Sequence, residues 1–259
     1  MKRMTLCADD YGQSPEISDG ILKLLAMERL QAVSCMAESP DWPAAARALR
    51  ERPGEYQTGL HFNLTHPFTQ AGRSLSSVMR DAWLRRMNPM EVERRFDSQW
   101  QAFVREMGRP PDYVDGHQHV HAFPVIRKVV ARRVRELSAT AWIRTPGGRE
   151  SAPKALVLAW ASRGLRRTLG MEGLATNPGF AGLRPYEPQF DFRRAFWKWL
   201  TANPDGTLIM CHPGLPSEDV HDPIRDCRPL ELAYLTSDDF ADDCRASDVV
   251  FERPTFSGS

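Results

Sequence analysis

The sequence has no Cys-x-x-Cys pair, and its five cysteines, Cys7, Cys35, Cys211, Cys227 and Cys244, are odd in number. A disulfide framework is therefore not expected, whereas buried thiols in a reducing compartment, the cytoplasm, are. Nowhere does a run of about eighteen apolar residues occur, which excludes a helical membrane span. No basic segment followed by an apolar one opens the chain, so no signal peptide is expected. Charge of one sign is missing too. Lys plus Arg (34) nearly cancels Asp plus Glu (33), so the bulk charge supplies no reason for a nucleic-acid or acidic-membrane partner and points to a neutral substrate. The Arg-rich stretches Arg132–Arg135 and Arg163–Arg167 fall in helical patterns and read as solvated faces. Neither GxGxxG nor GxxxxGK[ST] follows any strand pattern, which removes the commonest nucleotide-binding readings.

What is present is a repeating alternation of short apolar runs and helical stripes. Met4–Ala8 reads as a strand that empties into Asp9-Asp10, and Ser14-Pro15 then caps a helix carrying Ile17, Ile21, Leu24 and Leu25. Further strands are expected at Ala32–Met36, Tyr56–Leu64, Tyr113–Asp115, Ala141–Arg144, Leu174–Thr176, Gly206–Met210 and Val249–Phe251. Helices are expected at Trp42–Glu51, from Asn88 to Gly108, and at Pro124–Leu137, Ala152–Leu169, Phe190–Leu200 and Leu230–Arg245. Seven or eight such units in 259 residues predict one domain, residues 1–256, built as an irregular TIM-like (β/α) barrel of about seven strands. Ser257-Gly258-Ser259 reads as a flexible tail, and the segment from His66 to Asn88 as a long loop over the site. Trp83 and Trp197, read as exposed, suggest a homodimer contact.

Histidine placement carries the chemistry. Five of the seven, His61, His117, His119, His121 and His212, fall at or just beyond strand ends, where barrels keep their active sites. In Asp115-Gly116-His117-Gln118-His119-Val120-His121, acid and imidazoles recur every second residue, so an extended segment would turn them to one face. With Asp10 and His61 arriving from other strands, such a face suits zinc, manganese or a related divalent cation. A lone histidine would read instead as a hydrogen-bonded structural residue. Asp9 and Asp10 are sequence neighbours, so on a regular strand they diverge, and only a turn could bring both to one site. There, one could ligate metal while the other takes a proton from water, although Asp-Asp before glycine is also an ordinary turn. His61 and Asn63 share a face, His212 could act as acid or orient substrate, and Arg144 could pair with Asp9 or Asp10 or simply cap a turn. His66 and His221 lie in Pro-flanked loops and read as surface residues.

Four motifs, Ala8-Asp9-Asp10-Tyr11-Gly12, Gly59-Leu60-His61-Phe62-Asn63-Leu64-Thr65, Asp115-Gly116-His117-Gln118-His119-Val120-His121 and Cys211-His212-Pro213-Gly214, occur in that order. Together they resemble the YdjC-like carbohydrate deacetylases across nearly the whole chain. The resemblance implies that Asp10, His61 and His117 bind one divalent ion, magnesium or zinc. It implies Asp9 as general base, His212 as acid, and His119 and His121 in support. It further implies removal of an acetyl group from an N-acetylated sugar, a chitooligosaccharide or a related glycan or glycolipid. Tyr11 stands where the family usually has phenylalanine, which would bear on the pocket near Asp9, and Gly116 where serine is common. Two other readings fit part of the pattern: another metal-dependent sugar enzyme on a similar barrel, isomerase or phosphoesterase, and a non-catalytic sugar-binding member. Acetate release from an N-acetylated sugar separates the deacetylase from both.

Overall fold

Parallel strands covered on both faces carry continuous buried runs instead of alternation, and the longest strand of the computed structural model has that character. β1 (Lys2–Tyr11) is buried from Met4 through Tyr11. The structure describes residues 1–52, 54–68, 72–147 and 153–256. The sheet contains β2 (Ala32–Cys35), β3 (Gln57–Phe62), β4 (Tyr113–Gly116), β5 (Trp142–Ile143), β6 (Gly179–Ala181), β7 (Thr207–Cys211) and β8 (Val249–Phe251). Its order is β5-β4-β3-β2-β1-β7-β6, with β8 beside the start of β1, and every pairing is parallel. Around it run α1 (Pro15–Ala26), α2 (Trp42–Arg50), α3 (Leu75–Trp83), α4 (Pro89–Met107) and α5 (Ile126–Leu137). They are followed by α6 (Pro153–Glu172), α7 (Phe192–Ala202), α8 (Arg228–Thr236) and α9 (Asp238–Ala246). The result is a single α/β domain with the curled parallel sheet of an irregular TIM-like barrel, as the alternation of elements predicts.

Two apolar layers fix the sheet. One lies between strands and helices and includes Leu6, Ala8, Ile21, Val33, Leu60, Phe96, Val114, Val130 and Ile209. The other fills the inside of the curl: Cys7, Ala32, Tyr113, Trp142, Phe180, Leu208 and Met210. Tyr113 and Trp142 stack there with ring centroids 4.5 Å apart. Gly59 on the neighbouring strand makes room for them, since a Cβ would stand 2.3 Å from the Tyr113 ring.

Among the described residues the sheet stays open between β5 and β6, and the gap explains one difference from expectation. Leu174–Thr176 is not a strand; the chain there passes beside β5, and Ile143 N–H donates to Ala175 O at 3.0 Å. Asn177 completes the seam. Its Oδ1 accepts from Thr145 N–H at 2.7 Å, while its Nδ2 donates to Thr145 O at 3.1 Å and Gly179 O at 2.8 Å.

Other boundaries moved for local reasons. The helix expected over Leu230–Arg245 is two, because Ser237 is extended and caps α9 by accepting from Phe240 N–H. The expected loop from His66 to Asn88 contains α3, begun by Ser74, whose side chain accepts from Ser77 N–H. Residues 69–71, Ala152 and the tail 257–259 lie outside the described residues. Trp83 is not freely exposed but stacks on Trp160 at 4.1 Å, whereas Trp197 is exposed. Among the described residues, no helix is long and apolar enough to cross a membrane.

Replacing Asn177 with alanine leaves Thr145 N–H and C=O unpartnered in a buried seam. We expect Asn177→Ala to cost about 2–3 kcal/mol, read from the midpoint of urea unfolding. An unchanged midpoint would show that the seam does not hold the barrel together.

Candidate active site

The inward-facing residues of parallel strands come in layers, two residues apart on each strand. Directly above the apolar plug, the same strands place Asp9 above Cys7, His61 above Gly59, Asp115 above Tyr113 and Arg144 above Trp142, with His61 in register with Asp115. His212 follows Met210 in the same way at the end of β7. One apolar layer thus seals the barrel and the next, polar, layer opens at the carboxyl ends of the strands.

Asp10 reaches this end through an irregularity. Between Ala8 and Tyr11, β1 advances three residues while β2 advances two, from Val33 to Cys35, and Asp10 takes a left-handed φ of 70°. Such a bulge re-aims a side chain that regular pleating would send to the opposite face, and aspartate tolerates that backbone better than most residues. Asp10 Oδ1 then lies 2.9 Å from His117 Nδ1 and 3.4 Å from His61 Nε2. Donor atoms of Asp10, His61 and His117 all lie within 4.8 Å of one another.

Two members of this trio, His61 and Asp10, are fixed from behind. His61 Nδ1 meets Asp115 Oδ1 at 2.6 Å, which leaves Nε2 for the cluster, an arrangement that fixes the ring orientation of metal-binding histidines. Ser34 Oγ donates to Asp115 Oδ2 at 2.6 Å. Arg228 donates from Nη2 to Asp10 Oδ2 at 2.8 Å and from Nε to Asp222 Oδ2 at 2.6 Å. Burial works against ionised Asp10, but Arg228 and His117 outweigh it and hold the carboxyl well below its usual range. Burial likewise opposes a charged His61, yet Asp115 and Asp9, with hydrogen bonds to Asp10 and Asp115, push it up to about 10.

Asp9 is separately held. Arg144 Nη1 and Nη2 donate to its Oδ1 and Oδ2 at 2.6 and 2.7 Å, and Nη2 also lies 2.9 Å from Asp115 Oδ2. The pairing with Asp9 left open by the sequence is thus the one found. His212 Nε2 stands 3.8 Å from Asp9 Oδ2. Cys7, Asp9 and Asp115 form a second close trio, but Arg144 occupies both carboxylates and burial pushes the Cys7 thiol up to about 12. It is not a thiolate ligand set.

The three histidines of the Asp115–His121 motif do not share a face. The segment His117–Ala122 is a short 3₁₀ turn with Gln118 and His119 at φ of 52° and 61°, not an extended strand. His117 joins the cluster. His119 is half-buried, edge-on to Phe180 with centroids 5.9 Å apart, and burial followed by Arg144 holds it well below its usual range. His121 is fully buried, its Nε2 2.7 Å from the Arg144 carbonyl, so it supports the strand that carries Arg144 and takes no part in a ligand face.

Tyr11 and Asn63 are supports as well. Tyr11 points into the core and donates to Ala45 O at 2.8 Å, so the substitution of tyrosine for phenylalanine falls away from Asp9's pocket. Asn63 spends its amide on a turn: Oδ1 accepts from His66 N–H at 2.8 Å and Nδ2 donates to His66 O at 3.0 Å. That turn brings His66 to the site. Its ring lies 6.0 Å from that of His117, and burial, then His117, pushes its pKa down to about 4, so His66 is not the surface residue expected. His221 is exposed, as expected.

Four contributors went unrecognised in the sequence. In the sequence Asp115 reads only as part of a polar face. Arg228 and Glu231 lie one turn apart on α8, a spacing that puts two charges on one helix face and was the available signal. Glu231 Oε2 accepts from His212 N–H at 2.6 Å, and Tyr186 Oη lies 3.2 Å from His212 Nδ1. Tyr186 has no sequence signature. An open cavity of about 930 Å³ lined by Gln31, Arg52, Tyr56 and Phe251 sits at the opposite ends of the strands and holds none of these residues.

Arg144 separates two buried carboxylates that would otherwise repel. Arg144→Met should destabilise the protein by about 3–5 kcal/mol in urea unfolding; a loss below about 1 kcal/mol, the level of a surface pair, would contradict the pairing.

The chain is similar to known proteins in sequence and in fold. A carbohydrate deacetylase of Homo sapiens is 26% identical over 248 residues, covering 83% of this chain and 76% of that protein. A chitooligosaccharide deacetylase of Escherichia fergusonii is 31% identical over 140 residues, 51% of this chain and 55% of its own. The crystal structure of a proposed cellobiose-phosphate cleavage protein from Enterococcus faecalis has the same fold, with a TM-score of 0.73 at 17% identity over 97% of each chain. A family model described as YdjC-like protein matches residues 3–246, and the chain belongs to that family.

Proposed function

We propose that this protein is a metal-dependent hydrolase that removes the acetyl group from N-acetylated sugars of the chitooligosaccharide class. The observation that carries the reading is the donor set Asp10, His61 and His117 standing beside a separate acid–imidazole pair, Asp9 and His212. The names of the two relatives supply the substrate class.

The residues fit a divalent cation on two counts. Ligand atoms bonded to one cation at about 2.1 Å stand about 3.0 Å apart at right angles and about 3.4 Å apart at tetrahedral angles. The Asp10–His117 and Asp10–His61 separations are 2.9 and 3.4 Å. Charge balance agrees. Four buried carboxylates, Asp9, Asp10, Asp115 and Asp222, face two buried guanidinium ions, Arg144 and Arg228, which leaves two negative charges for a dication to cancel. Two imidazoles and one carboxylate suit zinc and its neighbours better than magnesium, which prefers oxygen alone.

Bound there, the cation supplies Lewis acidity that polarises the acetamide carbonyl and makes water easier to deprotonate. Asp9 takes the proton of the attacking water. Its two oxygens keep free lone pairs beyond those used by the Arg144 fork, and the fork prevents rotation away from the reacting atoms. His212 Nε2, which faces Asp9 at 3.8 Å, takes that proton on and delivers it to the leaving amine, and acetate and the free amino sugar are released. Half-buried His119, beside Phe180, lines the approach and is a contact for the sugar. The protein acts in the cytoplasm on this reading, which the five free thiols support.

Asp9→Asn should still bind metal while acetate release from N-acetylglucosamine oligomers falls about a thousandfold; release at the native rate would sink the base assignment. Metal affinity gives a second test. In the metal-free protein His61 carries its extra proton up to about pH 10, so ligation by Nε2 must expel it. Calorimetric affinity should therefore rise about tenfold per pH unit between about 7 and 9, and a flat profile would remove His61 from the ligand set. The sign for stability is opposite. The imidazolium's contribution to the metal-free fold is fully present below 6.5 and lost as pH rises through about 10.

A further inference from the structure

We propose that Tyr186 is a positioning residue for His212: its phenolic oxygen accepts the Nδ1–H and leaves Nε2, the nitrogen facing Asp9, as the one that takes up and releases protons. The inference rests on the deacetylase reading for its catalytic meaning.

The support is a closed set of contacts around one imidazole. Glu231 accepts from His212 N–H at 2.6 Å, which fixes the backbone. The same carboxylate is held by Arg184, whose Nη2 and Nε donate at 2.6 and 3.0 Å. Arg184's guanidinium carbon in turn lies 4.7 Å from the Tyr186 ring centroid and 5.2 Å from that of Phe192. Tyr186 completes the circuit, its Oη 3.2 Å from His212 Nδ1 and its ring edge-on to the imidazole at 5.3 Å. Glu231, the nearest carboxylate on that side, is thus committed to the backbone and to Arg184. Among the described residues, Tyr186 is the side chain left to partner Nδ1.

An imidazole that donates from Nε2 must keep the proton on Nδ1, and it does so only if an acceptor holds it. A carboxylate at that place would stabilise the imidazolium by charge and weaken it as an acid. A neutral phenol orients the ring without that penalty. Burial pushes the Tyr186 phenol well upward, so it stays neutral, and burial pushes His212 down, which favours the neutral ring with Nε2 free to take up a proton. Once Nε2 has taken a proton from the Asp9 side, the ring can pass it to a departing amine.

The test is the tautomer of His212 in the full-length protein, read by long-range ¹H–¹⁵N correlation on histidine-labelled samples and assigned against His212→Ala. Neutral His212 should carry its proton on Nδ1. Tyr186→Phe, which keeps the ring, should shift the proton to Nε2 and lower kcat about tenfold with KM changed less than about twofold. A neutral Nε2–H tautomer in the unsubstituted protein, or a Tyr186→Phe protein with native kcat, would overturn the assignment. Failure of the deacetylase reading looks different, since unsubstituted protein would then release no acetate from acetylated chitooligosaccharides, while the tautomer is read without turnover.

Discussion

The buried guanidinium of Arg144 is the constraint on which the site depends. It touches Asp9 with both outer nitrogens and Asp115 with one, inside a barrel where none of the three meets solvent. Two carboxylates that close cannot both stay ionised in a low-dielectric interior without a shared counter-charge. Arg144 supplies that counter-charge, and each carboxylate then serves a different neighbour. Asp115 turns His61 toward the cluster, and Asp9 faces His212. His121 holds the Arg144 carbonyl, and Asn177 binds both backbone groups of the next residue. The open seam of the barrel and the active site are therefore braced by the same short strand.

The loop after β7 is constrained as tightly. A Cβ on Gly20 of α1 would stand 2.7 Å from the Gly214 Cα, so Gly20 lets helix and loop press together. A Cβ on Gly214 would meet Arg228 side-chain atoms at 3.1 Å, so that glycine lets Arg228 pass to Asp10. Without that passage Asp10 Oδ2 would lose its buried partner, and the carboxylate could turn. Backbone compactness far from the cluster thus decides which oxygen Asp10 presents.

Much of this was legible because parallel barrels translate sequence into position with few rules. Polar residues at the ends of apolar runs lie at one end of the sheet, which is why Asp9, Asp10, His61, His117, Arg144 and His212 could be named from spacing and motif. What stayed hidden depends on backbone that leaves those rules. Gln118 and His119 are left-handed without being glycine, so period-two reasoning grouped His121 with ligands when it is a brace. Asn63 and His66 are joined by a turn whose bonds are local and leave no periodic trace. Arg228, Glu231 and Tyr186 come from a helix and a loop distant in sequence, where a charged residue reads as surface until its partner is known.

The adjacent acids show how the same residue type acquires unequal tasks. Nothing in Asp9-Asp10 as a dipeptide distinguishes them, and both are buried to the same degree. The difference lies in the counter-ions. Asp9 has both oxygens engaged by one rigid fork, which orients it and leaves its remaining lone pairs to take up a proton. Asp10 has one oxygen on Arg228 and the other between two imidazoles, an acceptor geometry that a cation can take over. The bulge in β1 makes the division possible, since without its extra residue Asp10 would lie on the helix-facing side and Asp9 would stand alone. A one-residue departure from strand geometry therefore separates the acid that joins the imidazole cluster from the acid that faces His212.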